Sequence, residues 1–238
     1  MSESFYRSFS ETKVTRFGTE RRRRADQARL ALIARAMGAP GELLEIGPGH
    51  GSFGVTALAA GWRYRAIDAS GVLVAALREK GLDVIEAFVP PIMAADSSCD
   101  VIHADQVLEH MPGIDAARSL TAEALRVLRP GGLFSVVVPD YLKERAFFWD
   151  VDYTHNFVTT ERRVRQLLHD GGFVVEQVVP AIGATTGVAC ELLGAAGFLA
   201  QLPGTDALGR LTGLSSLLFK VRKNLFATLT FIARKPAP

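Results

Sequence analysis

Leu43-Leu44-Glu45-Ile46-Gly47-Pro48-Gly49-His50-Gly51 decides how this chain is read. An apolar run that ends in a carboxylate and three alternating glycines describes a buried strand entering a ligand-binding turn. Glycines at this spacing let the backbone take positive φ angles and approach a ligand with no Cβ atom between them. From Ser52 onward the chain reads as a helix whose N-terminus faces that ligand, which suits a nucleotide-like cofactor. The glycines alone do not choose between cofactor classes, because Gly49-His50-Gly51-Ser52-Phe53-Gly54 also satisfies the dinucleotide pattern G-x-G-x-x-G. Glu45 discriminates. Two residues before the first glycine, its carboxylate repels a pyrophosphate and neutralises a cationic amino group.

Around this turn, short apolar runs alternate with helical patterns in the manner of βαβ units, which implies an α/β fold, doubly wound on a mostly parallel sheet. The runs predict strands near 42–46, 63–67, 83–88, 100–104, 132–138, 173–179 and 225–233, and helices near 52–60, 70–80, 115–128 and 160–171. Residues 1–36 read as a basic helical extension and 37–238 as one domain. An apolar, glycine-rich insertion at about 181–223 separates the last two strands, with helices expected over 187–202 and 211–225. It is far longer than an ordinary connection. A pocket lid, a homodimer contact, a peripheral membrane contact and simple core packing are the alternatives for it.

A length of 238 residues with 48% hydrophobic content suits one domain with a large core. The two cysteines, Cys99 and Cys190, argue against a disulfide framework and fit a reducing, cytoplasmic setting. Met1-Ser2-Glu3-Ser4-Phe5 lacks the apolar core of a signal peptide. Glu191, Pro203 and Asp206 interrupt the long apolar stretch before it reaches membrane-spanning length. The net charge of +2 conceals a segregation, with nine basic against four acidic residues over 1–35 and six against one over 201–238. Basic ends around an acidic middle steer an anionic substrate, a phospholipid surface or RNA, or else are solvated helix faces. Arg21, Arg22, Arg23 and Arg24 run into an amphipathic helix and are a thin basis for nucleic acid.

Glu45, Gly47, Gly49 and Gly51 match the motif E/D-x-G-x-G-x-G, and the chain thereby resembles the class I S-adenosylmethionine (SAM) methyltransferases. Asp68, closing Tyr64-Arg65-Ala66-Ile67-Asp68, stands where a doubly wound sheet meets a ribose. Its alternative is a helix N-cap, a role open to Ser70 instead. Cys99-Asp100-Val101-Ile102-His103-Ala104-Asp105 resembles the family's fourth strand, with Asp105 a cofactor-side candidate, and Leu128-Arg129-Pro130-Gly131-Gly132 resembles its L-x-P-G-G turn. The resemblance covers about residues 40–180 and the final strand. It implies the sheet order 3-2-1-4-5-7-6 with the last strand antiparallel, and SAM as cofactor. Where many relatives carry an aspartate for the adenine amino group, this chain has Ala87. The adenine is left to the backbone of Ala87 and the ring of Phe88, with Glu86 or Asp96 as substitutes.

Candidate chemistry lies in Gln106-Val107-Leu108-Glu109-His110 and in Asp152-Tyr153-Thr154-His155-Asn156-Phe157. If the first segment begins a helix, positions 106, 109 and 110 share a face. The pattern resembles E-x-x-E-H of metal-assisted O-methyltransferases, including ubiquinone-pathway enzymes and small-RNA 2′-O-methyltransferases, the latter adding a distant histidine followed by an aromatic residue. That resemblance implies Glu109, His110 and His155 as ligands of Mg²⁺ or another divalent cation, which lowers the pKa of an acceptor hydroxyl. Gln106 replaces the first glutamate and weakens such a site. Without metal, His110 is the candidate general base and Glu109 orients it; purely structural roles are the remaining alternative. His50, His103 and His169 read as solvent-facing or core residues. Phe147, Phe148, Trp149 and Tyr153, with Asp140 and Tyr141, supply faces for a sugar or flat ring. The resulting expectation is methylation of a sugar, glycan or glycolipid hydroxyl, ahead of a small aromatic acceptor or RNA. A NAD-dependent oxidoreductase and a catalytically silent SAM-binding module are the rival functions.

Overall fold

The structure, a computed structural model, describes residues 15–237, so the first fourteen residues of the basic extension lie outside it. One seven-stranded sheet runs in the order β3-β2-β1-β4-β5-β7-β6. Its strands are β1 (Glu42–Ile46), β2 (Arg63–Asp68), β3 (Val84–Glu86), β4 (Cys99–Asp105), β5 (Leu128–Pro139), β6 (Val174–Ile182) and β7 (Ala227–Arg234). Strand β7 is antiparallel to both neighbours, β5 and β6, and the remaining pairs are parallel. The implied topology is the one observed.

Both faces of the sheet are covered, which is why its central strands read as unbroken apolar runs. Successive residues alternate between the two layers. Leu44, Ile46, Ile102, Phe134 and Val136 face one side with α4 (Ile114–Val127) and α7 (Glu161–Asp170). Leu43, Val101, Leu133 and Ile232 face the other, with α1 (Arg16–Met37), α2 (Ser52–Ala59) and α3 (Gly71–Glu79). Two short helices, α5 (Tyr141–Glu144) and α6 (Phe147–Asp150), follow β5.

Three expectations differ from what is observed. The insertion holds three helices rather than two, α8 (Gly187–Leu199), α9 (Thr205–Thr212) and α10 (Ser215–Asn224), because Gly204 and Gly213 take left-handed conformations and break the run. Core packing is excluded for most of it, since its leucines are largely exposed. Finally, no helix begins at Gln106: that residue sits at φ 58°, and only a single 3-10 turn, Leu108–His110, follows.

The Leu128–Gly132 stretch is a bulge that shifts the β4–β5 register between Cys99 and Val101. Its second glycine has a steric reason: a Cβ on Gly132 would stand 2.9 Å from the carbonyl oxygens of both Arg129 and Asp100. Backbone cannot swing aside as a side chain can. Gly132→Ala is therefore expected to cost about 1–3 kcal/mol by overpacking, read as a lowered urea midpoint; an unchanged midpoint would contradict this account of the turn.

Candidate active site

The strand order reverses between β1 and β4, and in open sheets of this kind the ligand crevice lies outside the carboxyl ends of the strands at that point. Strand β1 delivers Glu45 there, 1% exposed, with the Tyr64 hydroxyl donating to Oε2. Burial pushes the Glu45 carboxyl up to about 8, against the opposing pull of Tyr64 and Arg22. Tyr64 reaches it across Gly54 of α2, where any Cβ would come within 2.5 Å of the ring carbon Cζ. A Cβ on Gly47 would meet Val107 Cγ2 at 2.9 Å, so the glycine turn packs against the segment that carries Glu109 and His110. Gly49 differs: at φ 54° it has nothing within 4 Å of a built Cβ, and its backbone borders open space. Gly51 closes the turn and leads into α2.

Asp68 ends β2, its Oδ1 accepting from the Ser70 N–H at 2.8 Å. Burial raises its pKa, and the N–H groups of Ser70 and Gly49 offset part of the rise. The Ser70 hydroxyl caps α3 by accepting from Leu73 N–H, so the capping role does not fall to Asp68. At the same sheet edge Ala87 donates its N–H to the Asp68 carbonyl at 3.0 Å, and the Phe88 ring is exposed. Asp96 is taken up elsewhere, bonded to Arg126 at 2.6 Å.

Asp105 ends β4, and helix α1 dominates its surroundings in a way the sequence did not announce. Arg22 Nη2 at 2.6 Å and Arg29 Nη1 at 2.8 Å both donate to Oδ2, while Oδ1 has no partner. Burial acts to raise this carboxyl's pKa, but Arg29 and Arg22 outweigh it and hold the group below its ordinary value. Arg22 also pairs with the buried Asp26 one turn on, which accepts from the Ser52 hydroxyl at the start of α2. The Arg22 side chain still keeps 46% of its surface. The available signal was the spacing of Arg22, Asp26 and Arg29, one helical face with a buried acid amid arginines.

The second half of the site forms where the 3-10 turn meets residues 152–157. The Glu109 carbonyl accepts from the N–H groups of Asn156 at 2.8 Å and Phe157 at 2.9 Å, which brings the two segments together. As a result the ligand atoms of Glu109, His110 and His155 lie within 4.8 Å of one another, although Gln106 does not join them on a helix face. Glu109 is fully buried with neither carboxyl oxygen partnered, and burial raises its pKa well above the ordinary value.

Hydrogen bonding sets both histidine tautomers. The Thr154 hydroxyl donates to Asp152 Oδ1 at 2.6 Å, so at its 2.9 Å contact with His110 Nδ1 it accepts. Nδ1 of His110 then carries the proton and Nε2 a free lone pair. A carbonyl only accepts, so the 2.5 Å contact from His155 Nδ1 to the Phe148 oxygen assigns the same tautomer there. Burial lowers the pKa of both rings, with the neighbouring His155 adding to the effect at His110. Phe148 packs against the ring of His155 at 4.5 Å and edge-on to Tyr141 and Trp149. Asp140 caps α5 through Leu142 N–H. Of the other histidines, His103 is buried and stacked on Phe53, and His50 is exposed.

A family model described as a methyltransferase domain matches residues 17–178. A Streptomyces fradiae protein described as an uncharacterized 37.1 kDa protein in transposon TN4556 is 34% identical over 161 residues, covering 59% of this chain and 46% of that protein. The chain thus spans less than half the length of that relative. Among solved structures, a SAM-dependent methyltransferase from Archaeoglobus fulgidus superposes with a TM-score of 0.63 at 16% identity, covering 98% of each chain. The Burkholderia thailandensis 1,6-didemethyltoxoflavin-N1-methyltransferase gives 0.58 at 17% identity, over 89% of this chain and 78% of that one. The [4+2]-cyclase SpnF gives 0.63 at 21% identity, over 90% and 81%. These structures share the fold. The family match takes in the Arg22–Asp105 clamp, the glycine turn and the histidine cluster together, and the chain belongs to the methyltransferase-domain family.

Proposed function

We propose that this chain transfers a methyl group from SAM to a hydroxyl of a small acceptor of the sugar or glycan class, with His110 as general base. The observation that carries the reading is the chain Asp152–Thr154–His110, which occupies Nδ1 and leaves Nε2 of a neutral imidazole free to take a proton. The segment bearing it abuts the glycine turn through Val107 and Gly47.

The crevice fits the cofactor. Asp105 Oδ1 and Gln106 Nε2 are a buried acceptor and a buried donor without partners, and Arg22 stands near Glu45. Such a set matches the ammonium and carboxylate of an amino-acid end, Asp68 suits ribose hydroxyls, and Ala87 with Phe88 borders the place for a base. SAM supplies an electrophilic methyl on a sulfonium. The protein's part is to hold the acceptor oxygen in line and remove its proton, so positioning provides much of the acceleration. Trp149 and Tyr141, braced by the buried ring of Phe148, offer apolar faces for the acceptor. Thr154 and Asp152 act through His110 as positioning residues.

His110→Ala is expected to lower kcat by about 10²–10⁴-fold while leaving the SAM dissociation constant unchanged. Thr154→Val should cost about tenfold in kcat by releasing the tautomer. The assay is a screen of sugar and glycan alcohols against small phenols and amines. Full activity in His110→Ala, or transfer only to amines, would refute the base or the acceptor class. The clustering of Glu109, His110 and His155 also favours a second reading, in which a divalent cation binds the acceptor hydroxyl there. Mn²⁺ calorimetry and activity after chelation separate the two. Undiminished turnover in chelator supports the base, and loss restored by Mn²⁺ supports the cation.

Glu45 gives an independent handle on the cofactor. Burial lifts its pKa to about 8. In the free protein at pH 6.5–7.5 it is therefore mostly protonated, whereas an ordinary glutamate is ionised. A bound ammonium favours the ionised form, so SAM binding should release a proton in this window and release none once the pH is well above 8. Calorimetry in two buffers of different ionisation enthalpy reads this directly. Glu45→Gln should abolish the buffer dependence and weaken SAM by about tenfold or more. Buffer-independent heats in the parent protein would refute this role for Glu45.

A further inference from the structure

We propose that the α8–α10 insertion is a docking surface for an anionic lipid bilayer. The insertion is a built unit. Arg222 of α10, 9% exposed, donates to the Ala200 carbonyl at 3.0 Å, to Asp206 Oδ1 at 2.7 Å and to Thr205 Oγ1 at 3.0 Å. One guanidinium thus ties the end of α8 and the start of α9 to α10. Phe147 packs edge-on against Phe219 and Phe226, which anchors the unit beside the aromatic segment of the site.

Having been fixed in place, these helices turn apolar side chains to solvent. On α8, Val188 and Leu192 are 78% and 68% exposed, and on α9, Leu208 and Leu211 are 61% and 85% exposed. On α10, the exposed Leu217 and Val221 share a face by their spacing of four, and the exposed Leu214 stands just before them at the N-cap. Helices of 13, 8 and 10 residues cannot cross a membrane, and no helix among the described residues is long and apolar enough to do so. Short helices of this pattern lie in the interfacial plane.

Charge selects among the occupants. Both acids of the insertion are engaged, Glu191 by Lys143 and Asp206 by Arg222. Arg210, Lys220 and Lys223 have no ion-pair partner among the described residues. A two-fold contact between copies is isologous and would set this patch, whose acids are both already engaged, and its cations against the same patch of the second copy. Anionic headgroups beside an acyl phase meet both the cations and the leucines. Phe17 of α1, 71% exposed, extends this region, since it lies one turn before Arg21, which bonds the side chain and carbonyl of Asn224 at the end of α10. On the functional reading above, such docking sets the acceptor side of the site toward the lipid.

Flotation of the purified chain with vesicles tests this without any methyl-transfer readout, so its failure leaves that reading standing. Binding is expected to phosphatidylglycerol–phosphatidylcholine vesicles, to fall with added salt, and to be at least tenfold weaker on phosphatidylcholine alone, given roughly this effect per pair of interfacial cations. Lys220→Glu with Lys223→Glu, and separately Leu211→Asp with Leu217→Asp, should each weaken it about tenfold or more. All four positions are exposed, and unchanged circular dichroism and melting would show that the variants fold. Absence of binding to anionic vesicles, or binding that neither double variant weakens, would overturn the proposal. So would a homodimer in light scattering that Leu211→Asp with Leu217→Asp disperses.

Discussion

The carboxyl edge of the parallel sheet gathers four carboxylates, Glu45, Asp68, Asp105 and Glu109, each at least nine-tenths buried. Much of the molecule is arranged around keeping them there. An ionised carboxylate in a low-dielectric interior is costly unless it is paired, hydrogen-bonded or protonated. This chain uses all of these answers within one crevice. Asp105 is paired with Arg22 and Arg29, Asp68 takes backbone N–H groups, and Glu45 combines a tyrosine hydroxyl with a raised pKa. Glu109 has no side-chain partner at all.

The pairing of Asp105 explains the place of helix α1. Its apolar positions, Leu30 and Ile33, join the core layer under α2, but hydrophobic burial alone leaves rotation and sliding loosely specified. Two arginines on one carboxylate, with Asp26 and Ser52 completing the cluster, set both. A buried ion pair is a weak source of net stability, and removing one partner is severe because it strands the other. The clamp therefore serves chiefly to hold α1 across the crevice. That places Arg22 and Arg29 at the carboxyl edge of the sheet beside Asp105, where they are more than solvated charges.

The sheet was legible in the sequence because its central strands are buried on both faces and end in residues with backbone duties, as in Leu43–Gly51 and Tyr64–Asp68. Parts of the site were legible too, since Glu109, His110 and His155 do converge. The supposed reason was wrong: helical spacing from Gln106 plays no part, and the convergence comes from the Glu109 carbonyl holding Asn156 and Phe157. Arg22 and Arg29 escaped notice because their partner lies over seventy residues away, and helical spacing marks the shared face of Arg22, Asp26 and Arg29 without marking the acid it meets. Thr154 and Asp152 were visible as residues, but their role depends on which ring nitrogen of His110 they reach. The third helix of the insertion followed from two glycines whose left-handed backbone ends one helix and starts the next.

Glu109 is where the four solutions leave a remainder. Two neutral imidazoles with unprotonated Nε2 atoms and a buried carboxyl without partners form a group that is one positive charge short of ionisation. If the carboxyl keeps its proton, it is a donor set beside two acceptors, and the cluster is neutral and self-consistent. If it loses that proton, burial leaves a bare charge that only a cation or a protonated imidazole can balance. Burial lowers the pKa of both histidines, so the imidazolium option is the poorest of these. On the proposed function, the choice between a proton and a divalent cation at Glu109 would govern how His110 works. With the proton in place Nε2 is free to act as a base, and with a cation in place that lone pair becomes a ligand.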